Sequence, residues 1–139
     1  MTASEFFRDV AKGNYLQFTS NPGSRRLLWN AIVSMNTVAE YVALDRLGYS
    51  QVSRQTLDQA SRQIRDTNPI LSDLKYCAET FKHVRKIKDH PNLTVPFTTI
   101  ATSTGVADHD VATWKIDQHD LSQVLEKAFA ALSGLSELK

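Results

Sequence analysis

The clearest pattern in the chain is an apolar stripe with the three-and-four spacing of an α-helix, between residues 25 and 47. Ser24 precedes this segment and Gly48 follows it, and these residue types commonly cap the two ends of a helix. The sequence therefore predicts a helix over residues 25–47. The stripe consists of Leu28, Ala31, Ile32, Met35, Val38, Ala39 and Val42.

A second apolar stripe lies on the nearly opposite side of the same predicted helix, since successive residues are about 100° apart. It is made of Trp29, Val33, Leu44 and Leu47. A helix with two apolar sides either lies at the centre of its bundle or is covered on one side by a second subunit. Because monomers rarely expose a large apolar stripe, we expect a homodimer.

Shorter patterns predict four further helices. A capping box at Thr2 and an apolar run ending at Gly13 predict a short first helix. Helical spacing also marks residues 52–65, 70–88 and about 118–133. The helix over 52–65 has only three inward apolar residues, so we expect it to be an outer helix with a solvated charged side. That charged side carries Arg54, Asp58, Arg62 and Arg65.

Between the last two helices the pattern becomes strand-like. Residues 93–102 and 111–116 are rich in β-branched side chains, and the loop over 104–110 would connect them. The predicted fold is mainly α: a single domain, residues 1–139, with four to five helices. A two-stranded β-hairpin over about 93–116 precedes the closing helix, at about 118–133.

Composition excludes several classes of protein. The chain has 139 residues, 42% of them hydrophobic, which does not suggest a disordered chain. Its net charge of +1 gives no overall attraction to nucleic acid or to an anionic membrane, so any basic surface is local. Cys77 is the single cysteine, so a disulfide framework is excluded. The N-terminus lacks the pattern of a signal peptide, and polar residues interrupt the apolar region 27–47. We expect a cytoplasmic protein that does not span a membrane and needs no metal or other cofactor.

Glu40 interrupts the second apolar stripe, and a carboxylate is costly to bury unless it is paired. Lys82, His83 or an arginine could pair with it, in which case Glu40 fixes the register of two helices or belongs to a binding site. If the stripe is exposed, Glu40 only solvates it. Glu40, Tyr76 and His83 are therefore candidates for the wall of a small-ligand pocket between helices.

A basic cluster ends the predicted helix over 70–88. Cations are favoured near a helix C-terminus, which by itself explains much of the cluster. The functional alternative is a surface that faces phosphate groups, with RNA as the partner. The cluster consists of Lys82, His83, Arg85, Lys86 and Lys88.

Residues 25–41 and 73–83 resemble a group of uncharacterised bacterial and phage-associated helical proteins, whose layout is similar to that of HEPN-type domains. This resemblance implies an RNase that acts as a homodimer without a metal. It places Arg85 and His90 in the catalytic positions, the histidine handling a proton and the arginine stabilising phosphate charge. Lys86 follows the arginine where the family has a small polar residue.

Three functions therefore stay open. We expect foremost a bacterial protein that acts through protein–protein contacts as a homodimer. The first alternative is the HEPN-like RNase, with Arg85 and His90 assisted by Lys82 and His83. The second alternative is small-ligand binding in a pocket between helices. No nucleotide-binding loop, nucleophile elbow or paired-histidine zinc motif is present to favour another enzyme class.

Overall fold

The computed structural model describes residues 1–48, 51–82, 93–94, 97–100, 109–112 and 114–139. It confirms the predicted mainly helical bundle with an antiparallel hairpin before the last helix. The first helical run is continuous from α1 (Ala3–Phe6) through a π-helical turn at Phe7–Ala11 to α2 (Lys12–Ser20). A 3-10 turn, Ser136–Leu138, follows the last helix. The α-helices are α1 (Ala3–Phe6), α2 (Lys12–Ser20), α3 (Arg25–Leu47), α4 (Arg54–Thr67), α5 (Pro69–Lys82) and α6 (Leu121–Ser133).

The predicted caps of α3 are confirmed. The Ser24 side chain accepts a hydrogen bond from the Leu27 amide at 3.2 Å, and Gly48 ends the helix with a left-handed φ of 74°. The predicted end of the first helix at Gly13 is wrong, because helix continues to Ser20. A glycine inside a helix costs only about 1 kcal/mol, and burial of Phe18 offsets such a cost.

Helix α3 lies at the centre of the bundle, where it contacts α1, α2, α4, α5 and α6. Its first apolar stripe is buried, and its second stripe is partly covered by these neighbours. Trp29 is the most open residue of that second stripe, at 37% exposure, and its ring centroid lies 5.2 Å from that of Phe81. Helices of the same chain thus account for much of the two-sided pattern, and the homodimer stays a prediction.

Helix α3 is also long and apolar enough, by composition alone, to cross a membrane. A core helix passes the same test, and 56% of the tested window of α3 is buried inside the fold. The finding is therefore weak support for a membrane helix.

The hairpin consists of short paired strands. Strand β2 (Phe97–Ile100) pairs with β3 (His109–Ala112), and β1 (Leu93–Thr94) pairs with β4 (Lys115–Ile116), which also pairs with β5 (His119–Asp120). The continuous strand predicted over 111–116 is therefore wrong, since β3 and β4 are separate.

Trp114, which lies between β3 and β4, is 2% exposed. Its indole Nε1 donates a hydrogen bond to the Pro22 carbonyl oxygen at 2.9 Å, and the Arg25 guanidinium lies 5.8 Å from the ring centroid. Trp114 therefore anchors the hairpin to the turn that precedes α3.

Candidate functional site

Helices α3, α4 and α5 surround a cleft of about 570 Å³ whose described lining consists entirely of polar side chains. Residues that are three or four positions apart share one face of a helix, so each helix contributes several side chains to it. From α3 come Asn36, Thr37 and Glu40; from α4, Arg54, Asp58, Arg62 and Arg65; and from α5, Lys75, Glu79 and Lys82.

Cations outnumber acids in this lining. Five of its side chains are arginine or lysine and three are aspartate or glutamate, although the whole chain is nearly neutral. Arg54 and Asp58 form an exposed ion pair at 3.2 Å, which uses one charge of each sign. The remaining surplus of positive charge favours a negatively charged group in the cleft.

Arg65 is the most unusual residue of the cleft. It is only 5% exposed, and its Nε is buried without a hydrogen-bond partner among the described residues. Burial lowers the pKa of the guanidinium, and the carboxylates of the lining oppose this shift, Glu40 most strongly. A buried donor left unpaired costs about 1–3 kcal/mol, and more when it is charged.

The prediction that Arg65 lies on a solvated side of its helix is wrong. Ser61 and Ile64 are 1% and 2% exposed, so the buried stripe of α4 runs through them. Arg65 lies four residues after Ser61 and eight after Leu57, which puts it on the edge of that stripe. The helical spacing of Arg65 from Ser61 and Leu57 thus indicated a buried position, although the charge of its side chain favoured an exposed one.

Asn36 supplies the complementary feature on α3. It is 6% exposed, and its Oδ1 is buried without a partner among the described residues. Glu40 follows one helical turn later and is partly buried. Within the described chain, three buried side-chain atoms lack a hydrogen-bond partner, and the residues bearing two of them, Asn36 and Arg65, line this cleft. The sequence did not single out Asn36, because asparagine in a helix usually faces water.

The predicted site residues divide between two places. Glu40 and Lys82 line the same cleft. Tyr76 is not part of that lining: its hydroxyl donates a hydrogen bond to the Asp117 carboxylate, and its ring centroid lies 6.1 Å from that of His119. Tyr76 therefore contacts the turn between β4 and β5.

The predicted catalytic pair, Arg85 and His90, lies outside the described residues, as does His83. The end of the helix predicted over 70–88 lies there too, since the described part of α5 ends at Lys82. The relative placement of the two predicted catalytic side chains is therefore not described, and the RNase hypothesis stays a prediction.

Cys77 does not offer a nucleophile near the cleft. It is fully buried, and burial raises the pKa of its thiol to about 12, so the protonated form dominates at neutral pH. The described residues also contain no group of three or more His, Cys, Asp or Glu residues placed to hold a metal ion. The described residues of the cleft therefore offer charged and hydrogen-bonding side chains to a ligand.

Comparison of the chain with family models, curated proteins and solved structures gives no match. The resemblance to HEPN-type domains accordingly stays a prediction.

Proposed function

We propose that this protein binds a small ligand, and that the cleft between α3, α4 and α5 holds an anionic group of that ligand against Arg65. The observation that carries the proposal is the buried Arg65 guanidinium, whose Nε has no hydrogen-bond partner in the described chain.

Unpaired buried polar groups are rare in proteins because each one costs free energy. A ligand carboxylate or phosphate would supply the missing acceptor, and hydrogen bonds to charged groups are the stronger kind. The cleft volume of about 570 Å³ lies within the usual range for small-molecule sites, roughly 300–1,000 Å³. Lys75 and Lys82 add positive charge from the facing helix.

The proposal develops the ligand-binding alternative from the sequence, with Glu40 and Lys82 in the site and Tyr76 outside it. It is compatible with a homodimer, because the cleft is formed by helices of one chain.

Isothermal titration calorimetry with inorganic phosphate and with acetate tests the proposal. We expect wild type to bind at least one of these anions, and Arg65→Met to weaken that binding by about tenfold or more, the equivalent of one charged hydrogen bond. Arg8→Met is the matched control, because Arg8 lies outside the cleft and its side chain is 66% exposed. No binding by wild type, or equal binding by Arg65→Met, contradicts the proposal.

A further inference from the structure

We infer that the ligand of this cleft is a zwitterion, a small molecule that carries a protonated amine as well as its anionic group. The inference rests on the proposed function and specifies the class of ligand. It follows from the opposite hydrogen-bonding needs of Asn36 and Arg65 and from the position of Glu40.

On the α4 wall of the cleft one buried donor needs an acceptor, and on the α3 wall one buried acceptor needs a donor. Arg65 Nε is a buried N–H group without an acceptor, and Asn36 Oδ1 is a buried oxygen without a donor, among the residues described. Each group would cost free energy if it stayed unpaired. A ligand that carries only an anionic group satisfies the first and leaves the second buried and unpaired.

Glu40 makes the α3 wall suitable for a cation. It lies four residues after Asn36, so the two side chains share one face of α3. Burial lowers the pKa of Arg65, and the Glu40 carboxylate is near enough to oppose this shift, but the two residues form no ion pair in the described chain. An ammonium group would donate a charged hydrogen bond to each of the two acceptors.

The mixed charges of the cleft also disfavour simpler ligands. A dianion would use more of the surplus positive charge, but it would bring its second charge toward Glu40 and would leave Asn36 Oδ1 without a donor. A diamine would place one of its charges near the buried guanidinium of Arg65. A zwitterion would pair its anionic group with Arg65 and its ammonium group with Glu40, and this charge complementarity provides specificity.

The test is a calorimetric series of ω-amino acids, from glycine through β-alanine and γ-aminobutyrate to ε-aminocaproate. Each amino acid is compared with the unsubstituted monocarboxylate, the dicarboxylate and the diamine that have the same number of carbon atoms. We expect one amino acid to bind at least about tenfold more tightly than all three of its matched compounds, because the amine adds a charged hydrogen bond.

Two variants separate this inference from the proposed function. Glu40→Gln preserves the shape of the side chain but removes its charge. It should cut the ratio of amino-acid affinity to monocarboxylate affinity by about tenfold, because the amine loses its charged acceptor. Arg65→Met should weaken every carboxylate in the series.

If monocarboxylates or dicarboxylates bind as tightly as the amino acids and depend on Arg65, the ligand is a plain anion. The zwitterion is then refuted and the proposed function stands. If no member of the series binds, or if binding is indifferent to Arg65, both are refuted.

Discussion

Glu40 and Arg65 line one cleft from adjacent helices, and in the described chain they do not form an ion pair with each other. Arg65 is nevertheless almost fully buried. A protein selected only for stability would gain by pairing this arginine or by replacing it with an apolar residue. Groups that reduce stability in this way are typical of binding sites, where the ligand provides the missing contacts.

Arg65→Met should therefore stabilise the protein in the absence of ligand. Methionine fills a similar volume and removes the unpaired donor, so we expect the free energy of unfolding to rise by about 1–2 kcal/mol. Urea denaturation followed by circular dichroism measures this change. Arg8→Met, at an exposed position, should change stability by less than about 0.5 kcal/mol. A loss of stability in Arg65→Met would mean that the guanidinium contributes to the fold, contrary to this interpretation.

Trp114→Phe should destabilise the contact between the hairpin and the helical bundle. The substitution removes the Nε1 donor to the Pro22 carbonyl and reduces the volume of a side chain that is only 2% exposed. We expect a loss of about 1–3 kcal/mol in the free energy of unfolding. Trp29→Phe is the control, because Trp29 is 37% exposed and should lose less than about 1 kcal/mol. Equal losses in the two variants would show that the hydrogen bond of Trp114 contributes little.

The helices could be predicted because their signals are local. The apolar spacing of α3 and its caps at Ser24 and Gly48 depend on neighbours within a few residues, and the structure confirms them. The end of the first helix could not be predicted from Gly13. The helix continues beyond this glycine, and burial of Phe18 in the core, which depends on distant parts of the chain, stabilises the continuation. Tertiary packing commonly overrides a weak local preference of this kind.

The candidate site was harder to predict because it depends on how three helices pack. Glu40 was a candidate owing to its place on an apolar stripe, and it lines the cleft together with Lys82. Arg65 was assigned to the solvent because arginine is rarely buried. Its burial depends on α3 and α5, which the sequence of α4 alone does not specify.

The stability of the protein should decrease at alkaline pH through Cys77. Its thiol has a pKa of about 12 in the folded chain and an ordinary value of 9.0. Above about pH 9 the unfolded chain releases the proton while the folded chain keeps it, so a rise in pH favours unfolding. The contribution of Cys77 is complete below pH 9 and is lost as the pH rises toward about 12.

Urea denaturation of wild type and Cys77→Ala at about pH 8 and about pH 10 isolates this effect from other titrating groups. Wild type should lose more stability between the two values than Cys77→Ala does. Equal losses of stability in the two proteins would show that the thiol has the same pKa in the folded and unfolded chains.

Self-association through the exposed part of α3 is the remaining prediction. Trp29 keeps 37% of its surface exposed although it packs on Phe81, and a partly exposed tryptophan is a frequent anchor of protein interfaces. Sedimentation equilibrium of wild type should give the mass of a dimer, and Trp29→Gln should weaken the dimer by about thirtyfold or more. Leu16→Gln, at a 50% exposed leucine of α2, should leave it unchanged, and circular dichroism checks that both variants fold. A wild-type chain that sediments as a monomer over the whole accessible concentration range would refute the homodimer, whereas a dimer insensitive to Trp29 would move its interface to another surface.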